Sequence, residues 1–277
     1  MQEYGRGMLA AFFLITAALP VAAQPLKREW TWCLNESGEL PPARAMRGCT
    51  ALIHSDKMPA QVRAIAYSNR GTIMFNRGDF ARAIADYDEA IKLDGKNTTF
   101  VLNRCMATVG SRDVPAALKS CDEAARRNPD KSFAFFNRGI AHELNSDKEN
   151  ALADYSQAIK LDPTFAAALN NRCWLNAVAG RLKEAIADCN RALKSRPHNA
   201  NLHDTRGFAY LKAGEYRKAI ADYNAALKTN PKKAYALYGR GLAKSKKGNI
   251  ASGKADIAAA KKLKPGVAAE FARNGVK

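Results

Sequence analysis

The chain has 277 residues, 47% hydrophobic and 25% charged, with 44 basic against 26 acidic side chains and a net charge of +18. That is an ordinary globular balance. It fits one or two compact domains or one elongated array. The positive excess favours anionic partners and says nothing about fold.

The N-terminus reads as an export signal. A 16-residue apolar run, "MLAAFFLITAALPVAA" (8–23), follows Arg6 and ends in small residues at Val21 and Ala23, the spacing a signal peptidase prefers. The run is short of the roughly 20 apolar residues a membrane span needs, so 1–23 is expected to be a cleaved signal peptide. The alternative is an uncleaved anchor. No later segment is apolar enough to span a membrane. Export leads to an oxidising compartment, periplasmic or secreted, where paired cysteines become disulfides. The six cysteines form three pairs, Cys33/Cys49, Cys105/Cys121 and Cys173/Cys189, each separated by 16 positions.

A repeat follows. "YSNRGTIMFNRGDFARAIADYDEAIKLD" (67–94) and "FFNRGIAHELNSDKENALADYSQAIKLDP" (135–163) share Asn-Arg-Gly, then Ala, Asp-Tyr and Ala-Ile-Lys-Leu-Asp. Asn-Arg recurs at Asn69-Arg70, Asn103-Arg104, Asn137-Arg138 and Asn171-Arg172, and weakens to Thr205-Arg206 and Gly239-Arg240, always in steps of 34. Taking 64 as position 1, Ala fills position 27 in all six units, Ala83, Ala117, Ala151, Ala185 and Ala219 fill position 20, and Pro129, Pro163, Pro197, Pro231 and Pro265 fill position 32. Gly78, Gly180, Gly214 and Gly248 mark a tight turn inside four of the units, where left-handed geometry suits glycine. This pattern resembles the tetratricopeptide repeat family. The resemblance implies an all-α fold, a right-handed α-solenoid of helix-turn-helix repeats. The six units are expected at 64–97, 98–131, 132–165, 166–199, 200–233 and 234–267, with 268–277 as a capping segment.

In this register Cys105/Cys121 and Cys173/Cys189 fall at positions 8 and 24, where the other units have Gly71/Tyr87, Gly139/Tyr155, Gly207/Tyr223 and Gly241/Ile257. A glycine facing a large residue is exchanged for two medium thiols. Positions 8 and 24 are therefore expected to face each other, and the pairs to be disulfides. Free buried cysteines are the alternative. Cys33 and Cys49 extend the same ruler to 24–63, which is expected to be a divergent helix pair serving as N-terminal cap. Arg70, Arg138, Arg172, Arg206 and Arg240 at position 7 each have an Asp at position 23, such as Asp86 for Arg70, and an ion pair is expected there, while Arg104 has Ser120 at that place with Asp122 close by.

The family's ligand groove is lined by first-helix positions. Here these include Asn69, Asn103, Asn137 and Asn171, whose amides suit a peptide backbone. Phe133, Phe136, Trp174, Phe208 and Tyr238 could anchor apolar side chains. The lysines that some relatives use to clamp a double carboxylate are absent. Position 5 reads Ser68, Leu102, Phe136, Asn170, Asp204 and Tyr238, so that activity is not carried over.

The sequence thus predicts a non-catalytic protein-interaction scaffold of the periplasm or envelope, holding a peptide or protein in its groove. The alternative is an adaptor docking to anionic lipid or envelope polymer through Lys246, Lys247, Lys261 and Lys262, since 200–277 carries 17 basic against 5 acidic residues. Nucleic acid fits the charge, but no recognition motif accompanies it. His54, His142, His198 and His203 fall in no ligand or triad spacing, and there is no phosphate loop or nucleophile elbow. No metal or other cofactor is expected. Oligomeric state is not legible.

Overall fold

Short amphipathic helices that each bury one face must pair, and the sequence repeats the punctuation that pairs them. The computed structural model describes residues 26–35 and 38–276, and the expected signal peptide lies outside them. Among the described residues all regular structure is helical. The first helix pairs are α1 (Lys27–Leu34) with α2 (Pro42–Ile53), α3 (Ala60–Asn76) with α4 (Phe80–Leu93), α5 (Thr98–Ser111) with α6 (Val114–Arg127), and α7 (Ser132–Leu144) with α8 (Lys148–Leu161). Then come α9 (Ala166–Val178) with α10 (Leu182–Ser195), α11 (Ala200–Lys212) with α12 (Tyr216–Thr229), α13 (Ala234–Lys246) with α14 (Ile250–Leu263), and a last short α15 (Val267–Arg273). These form two compact units, one ending at Asp154 and one beginning at Tyr155, so the boundary lies inside α8. Within the first unit α1 meets α3, α3 meets α5 and α5 meets α7. Within the second α9 meets α11 and α11 meets α13.

The turn inside a pair needs one residue with positive φ. Gly78, Gly180, Gly214 and Gly248 supply it, at φ between 73° and 94°. Arg112 (61°) and Ser146 (63°) hold the same place in their units, at a cost of about 1 kcal/mol for a side chain in that region. The helix that follows is capped from the sequence. Asp79, Asp113 and Asn249 accept hydrogen bonds from the backbone N–H of Arg82, Ala116 and Ser252, which satisfies a donor that has no partner in the helix. Pro115 sits in the first turn of α6, where its missing N–H leaves no bond unmade.

Close approach within a pair depends on small residues. Ala83, Ala90, Ala117 and Ala124 in the first unit, and Ala185, Ala192, Ala219 and Ala226 in the second, are fully buried. Gly71 lies against the Tyr87 ring so closely that a Cβ there would stand 3.0 Å from Cε1, and Gly207 repeats this with Tyr223. Burial pushes both phenols well above the ordinary tyrosine range. In three pairs sulfur fills the same space. Cys33–Cys49, Cys105–Cys121 and Cys173–Cys189 are disulfides with Cα–Cα distances of 4.6, 4.7 and 5.7 Å. Closing a loop of about 15 residues contributes ~3 kcal/mol in the chain-entropy model.

One position earlier, arginine ties the second helices together. Arg206 Nε and Nη2 donate to both oxygens of Asp222 at 2.7 and 2.6 Å, while Nη1 donates to Asn190 of the preceding pair at 2.7 Å. Arg240 does the same with Asp256 and Asn224, Arg172 with Asp188 and Ser156, and Arg138 with Asp154 and Asp122. Arg70 grips Asp86 and reaches back to Thr50. Arg104 is the variant. Its own hairpin offers Ser120 and Glu123, and the preceding one Asp88. The aspartate bonds hold the guanidinium groups of Arg70, Arg138 and Arg206 above the ordinary arginine value. For Asp256 burial pushes the carboxyl up, but the hydrogen bonds from Arg240 and Lys244 outweigh it and the net shift is downward.

Two outcomes are expected. Cys105→Gly with Cys121→Tyr installs the packing of the neighbouring unit, and this double variant folds without that disulfide. Cys121→Tyr alone sets a ring against the remaining Cys105 side chain and costs about 1–3 kcal/mol through overpacking. Thermal melting of the two variants compares them, and equal losses would count against the reciprocal fit. Asp256→Asn leaves Arg240 without its carboxylate and lowers stability at neutral pH by about 1–3 kcal/mol. Because the Asp256 pKa is depressed in the fold, its contribution is present above the unfolded carboxyl value and is lost as pH falls through the folded one. The variant's penalty therefore shrinks at the acid end of a pH–stability series, and a pH-independent penalty would contradict the ion pair.

Candidate ligand groove

The first helix of each pair presents residues three and four apart on one face, and the expected groove residues lie there. In the first unit Asn69 is on α3, Asn103 on α5, and Phe133, Phe136 and Asn137 on α7. The three asparagines are at most 2% exposed, Phe136 is buried and Phe133 half-buried. In the second unit Asn171, Trp174 and Phe208 are buried and Tyr238 is half-buried.

The amides are not equivalent. Asn137 Nδ2 donates to the Phe133 carbonyl at 3.0 Å and Asn171 Nδ2 to the Tyr155 hydroxyl at 3.2 Å, so both serve their own frame. Asn103 Nδ2 lies 3.4 Å from Ser68 Oγ, but its Oδ1 has no partner. Asn69 has no hydrogen-bond partner at either amide atom, and Asn170 has none at Oδ1. A buried polar group left unpaired costs about 1–3 kcal/mol, so Asn69 and Asn103 hold capacity that the fold does not use.

The aromatic side chains of the second unit converge. Phe208 lies 4.7 Å from Trp174 and 5.7 Å from Phe271, between ring centroids. Tyr238 and Tyr235 stand 4.8 and 6.3 Å from Phe271. The expected capping segment thus sends Phe271 to the first-helix face and leaves Ile250 and Leu263 of α14 exposed at 48% and 46%. Sequence reasoning missed the polar groups that accompany it. Lys212 Nζ donates to the Val178 carbonyl at 2.9 Å and the Asn274 carbonyl at 3.0 Å, and burial pushes its pKa down. Lys264 pairs with Glu270 at 3.0 Å and donates to the Tyr235 hydroxyl, which itself donates to Glu270. Lys233 is buried beside Asp204 at 3.3 Å and donates to Asn201 at 2.9 Å. In the sequence these lysines are indistinguishable from the basic stretch around them.

The four surface lysines do not converge. All are exposed, but Lys246 and Lys247 end α13 while Lys261 and Lys262 end α14. The two helices are antiparallel, so the clusters stand at opposite ends of a hairpin about 20 Å long at 1.5 Å per residue.

Tandem helix hairpins with a consistent first-helix face define a scaffold for protein–protein interaction. Tetratricopeptide-repeat models match residues 64–97 and 132–165, and a TPR-repeat model matches 209–248. The chain therefore carries tetratricopeptide repeats, a family whose members are generally non-catalytic. Among curated proteins none matches the chain. Its fold is similar to that of a tetratricopeptide repeat protein from Parabacteroides merdae, with a TM-score of 0.66 at 18% identity over 92% of this chain and 99% of that one. PilW, a type IV pilus biogenesis factor, gives 0.65 at 19% identity over 73% of this chain and 94% of that one. YrrB, a TPR protein with an unusual peptide-binding site, gives 0.53 at 22% identity over 69% and 97%. At these identities the likeness is one of fold.

Substituting the asparagines separates their roles. Asn69→Leu removes two unpaired buried amide atoms and is expected to leave stability unchanged or raise it by about 1 kcal/mol. Asn171→Leu removes the hydrogen bond from its amide to the Tyr155 hydroxyl and lowers stability by a similar amount. Denaturant midpoints measure both, and a loss above about 2 kcal/mol for Asn69→Leu would make that amide part of the frame.

Proposed function

We propose that this protein is a non-catalytic interaction scaffold of the periplasm or cell envelope that holds a peptide or protein segment on its first-helix face. The observation that carries this reading is the set of first helices whose aromatic side chains Phe133 and Tyr238 are only half-buried; Asn69 and Asn103 add amide atoms that the fold leaves unpaired and closed to solvent, so a ligand reaches them only where the helices part. A peptide backbone offers one donor and one acceptor per residue, which an amide side chain matches. Similarity to YrrB, with its peptide-binding site, supports a peptide as ligand. Similarity to PilW supports an envelope role. The three cysteine pairs suit an oxidising compartment, and among the described residues no helix is long and apolar enough to cross a membrane.

The full-length, oxidised chain immobilised against an envelope extract tests this. One discrete protein is expected to remain at high salt and to lose at least tenfold in affinity with Asn69→Ala or Trp174→Ala. Charge reversal at Lys246, Lys247, Lys261 and Lys262 leaves that binding unchanged. Retention of anionic vesicles alone, lost as salt rises and abolished by the charge reversals, would replace the groove with the basic surface.

A further inference from the structure

The last helix behaves as a ligand of the chain that carries it. α15 has seven residues and buries two of them, Val267 and Phe271, one turn apart. It leaves two large apolar side chains of α14, Ile250 and Leu263, exposed. Instead Phe271 meets Phe208 on α11 and Tyr235 and Tyr238 on α13, and Phe208 rests on Trp174 of α9. Side chains from two successive first helices thus meet the Phe271 ring, and Trp174 of a third backs one of them. The polar contacts follow the same logic. The Glu270 carboxylate lies against the Lys264 ammonium and the Tyr235 hydroxyl, and Lys212 takes the Asn274 carbonyl together with that of Val178. An aromatic anchor, a carboxylate facing a cation and a backbone carbonyl on a lysine make up a compact recognition set.

We propose that the first-helix face of residues 155–276 is a docking site for a short helical segment bearing a carboxylate immediately before a phenylalanine. α15 fills this site in cis, and a partner carrying the same pair must displace it. This rests on the groove reading above and adds the chemistry of the ligand and a competitor built into the chain. Only Lys264, Pro265 and Gly266 separate α15 from α14, and a tether that short gives an effective concentration in the millimolar range. Free segments of equal intrinsic affinity are therefore excluded until α15 is released. A seven-residue helix is marginal away from its docking surface, so a released tail offers little structure of its own to compete with.

A fluorescein-labelled peptide of sequence GVAAEFARNGVK, the chain's own residues 266–277, is titrated into the full-length protein and followed by anisotropy. It is expected to bind the Phe271→Ala protein at least tenfold more tightly than wild type, with Glu270→Gln in between. The same peptide carrying Phe271→Ala binds none of them. Equal affinity for all three proteins would overturn the proposal, as would no binding to a Phe271→Ala protein that melts cooperatively. If Phe271→Ala does not fold, Glu270→Gln decides, and affinity equal to wild type overturns the proposal. The groove reading fails separately. If an envelope partner is lost with Asn69→Ala or Trp174→Ala but held equally by wild type and Phe271→Ala, that reading stands and the tail is no competitor. If the peptide exchanges as described while no partner depends on Asn69 or Trp174, the docking site stands and the envelope reading falls.

Discussion

A guanidinium shared between two successive second helices sets the spacing of this protein. Arg206 uses two nitrogens to hold Asp222 of its own hairpin and a third to reach Asn190 of the one before. The two partners lie 16 residues ahead and 16 behind, so one side chain fixes both the closure of a hairpin and its step to its neighbour. A lysine could not replace it, because an ammonium offers a single charged point where the guanidinium is a rigid fork. The carboxylates are nearly dry, which makes the geometry exacting. A displaced partner leaves an uncompensated charge, so the array tolerates little change in helix length between these points.

With that distance fixed, the neighbouring positions can exchange packing solutions. Gly71 beside Tyr87 and Cys105 bonded to Cys121 occupy equivalent places. One fills the gap with a ring and the other with a covalent bridge. The ring solution depends on a missing Cβ and the bridge on an oxidising environment. Using both in one chain makes only some hairpins responsive to thiol chemistry.

The all-helical hairpin fold was legible because its determinants are local and periodic. Gly78, Gly180, Gly214 and Gly248 announce the turns, and the Ala positions announce the helix contacts. Arg112 and Ser146 stand at the same turn with no sign of it in their chemistry, and only the register finds them. The boundary inside α8 leaves no mark, because the repeat runs through it unbroken. Candidate groove positions were legible as positions, but the state of each side chain was not. Asn69 and Asn137 look alike in sequence, yet one amide is unpaired and the other bonds its own helix. The destination of Phe271 was hidden for a different reason. α15 belongs to no repeat, and its anchor between Lys212 and Asn274 spans 62 positions, a separation that no periodicity encodes.

The placement of the three bridges also creates a gradient of stiffness. They cross-link α1 to α2, α5 to α6 and α9 to α10, and among the described residues the hairpins after Ser195 have none. In a stack governed by nearest-neighbour coupling, the free energy of local opening falls toward an end that lacks cross-links. The aromatic face that receives Phe271 is built from α9, α11 and α13, one hairpin inside the bridged region and two beyond it. Opening of α11 and α13 disturbs no covalent link, so the compliant hairpins are the ones that meet Phe271 directly, while the bridged hairpin behind them keeps its shape.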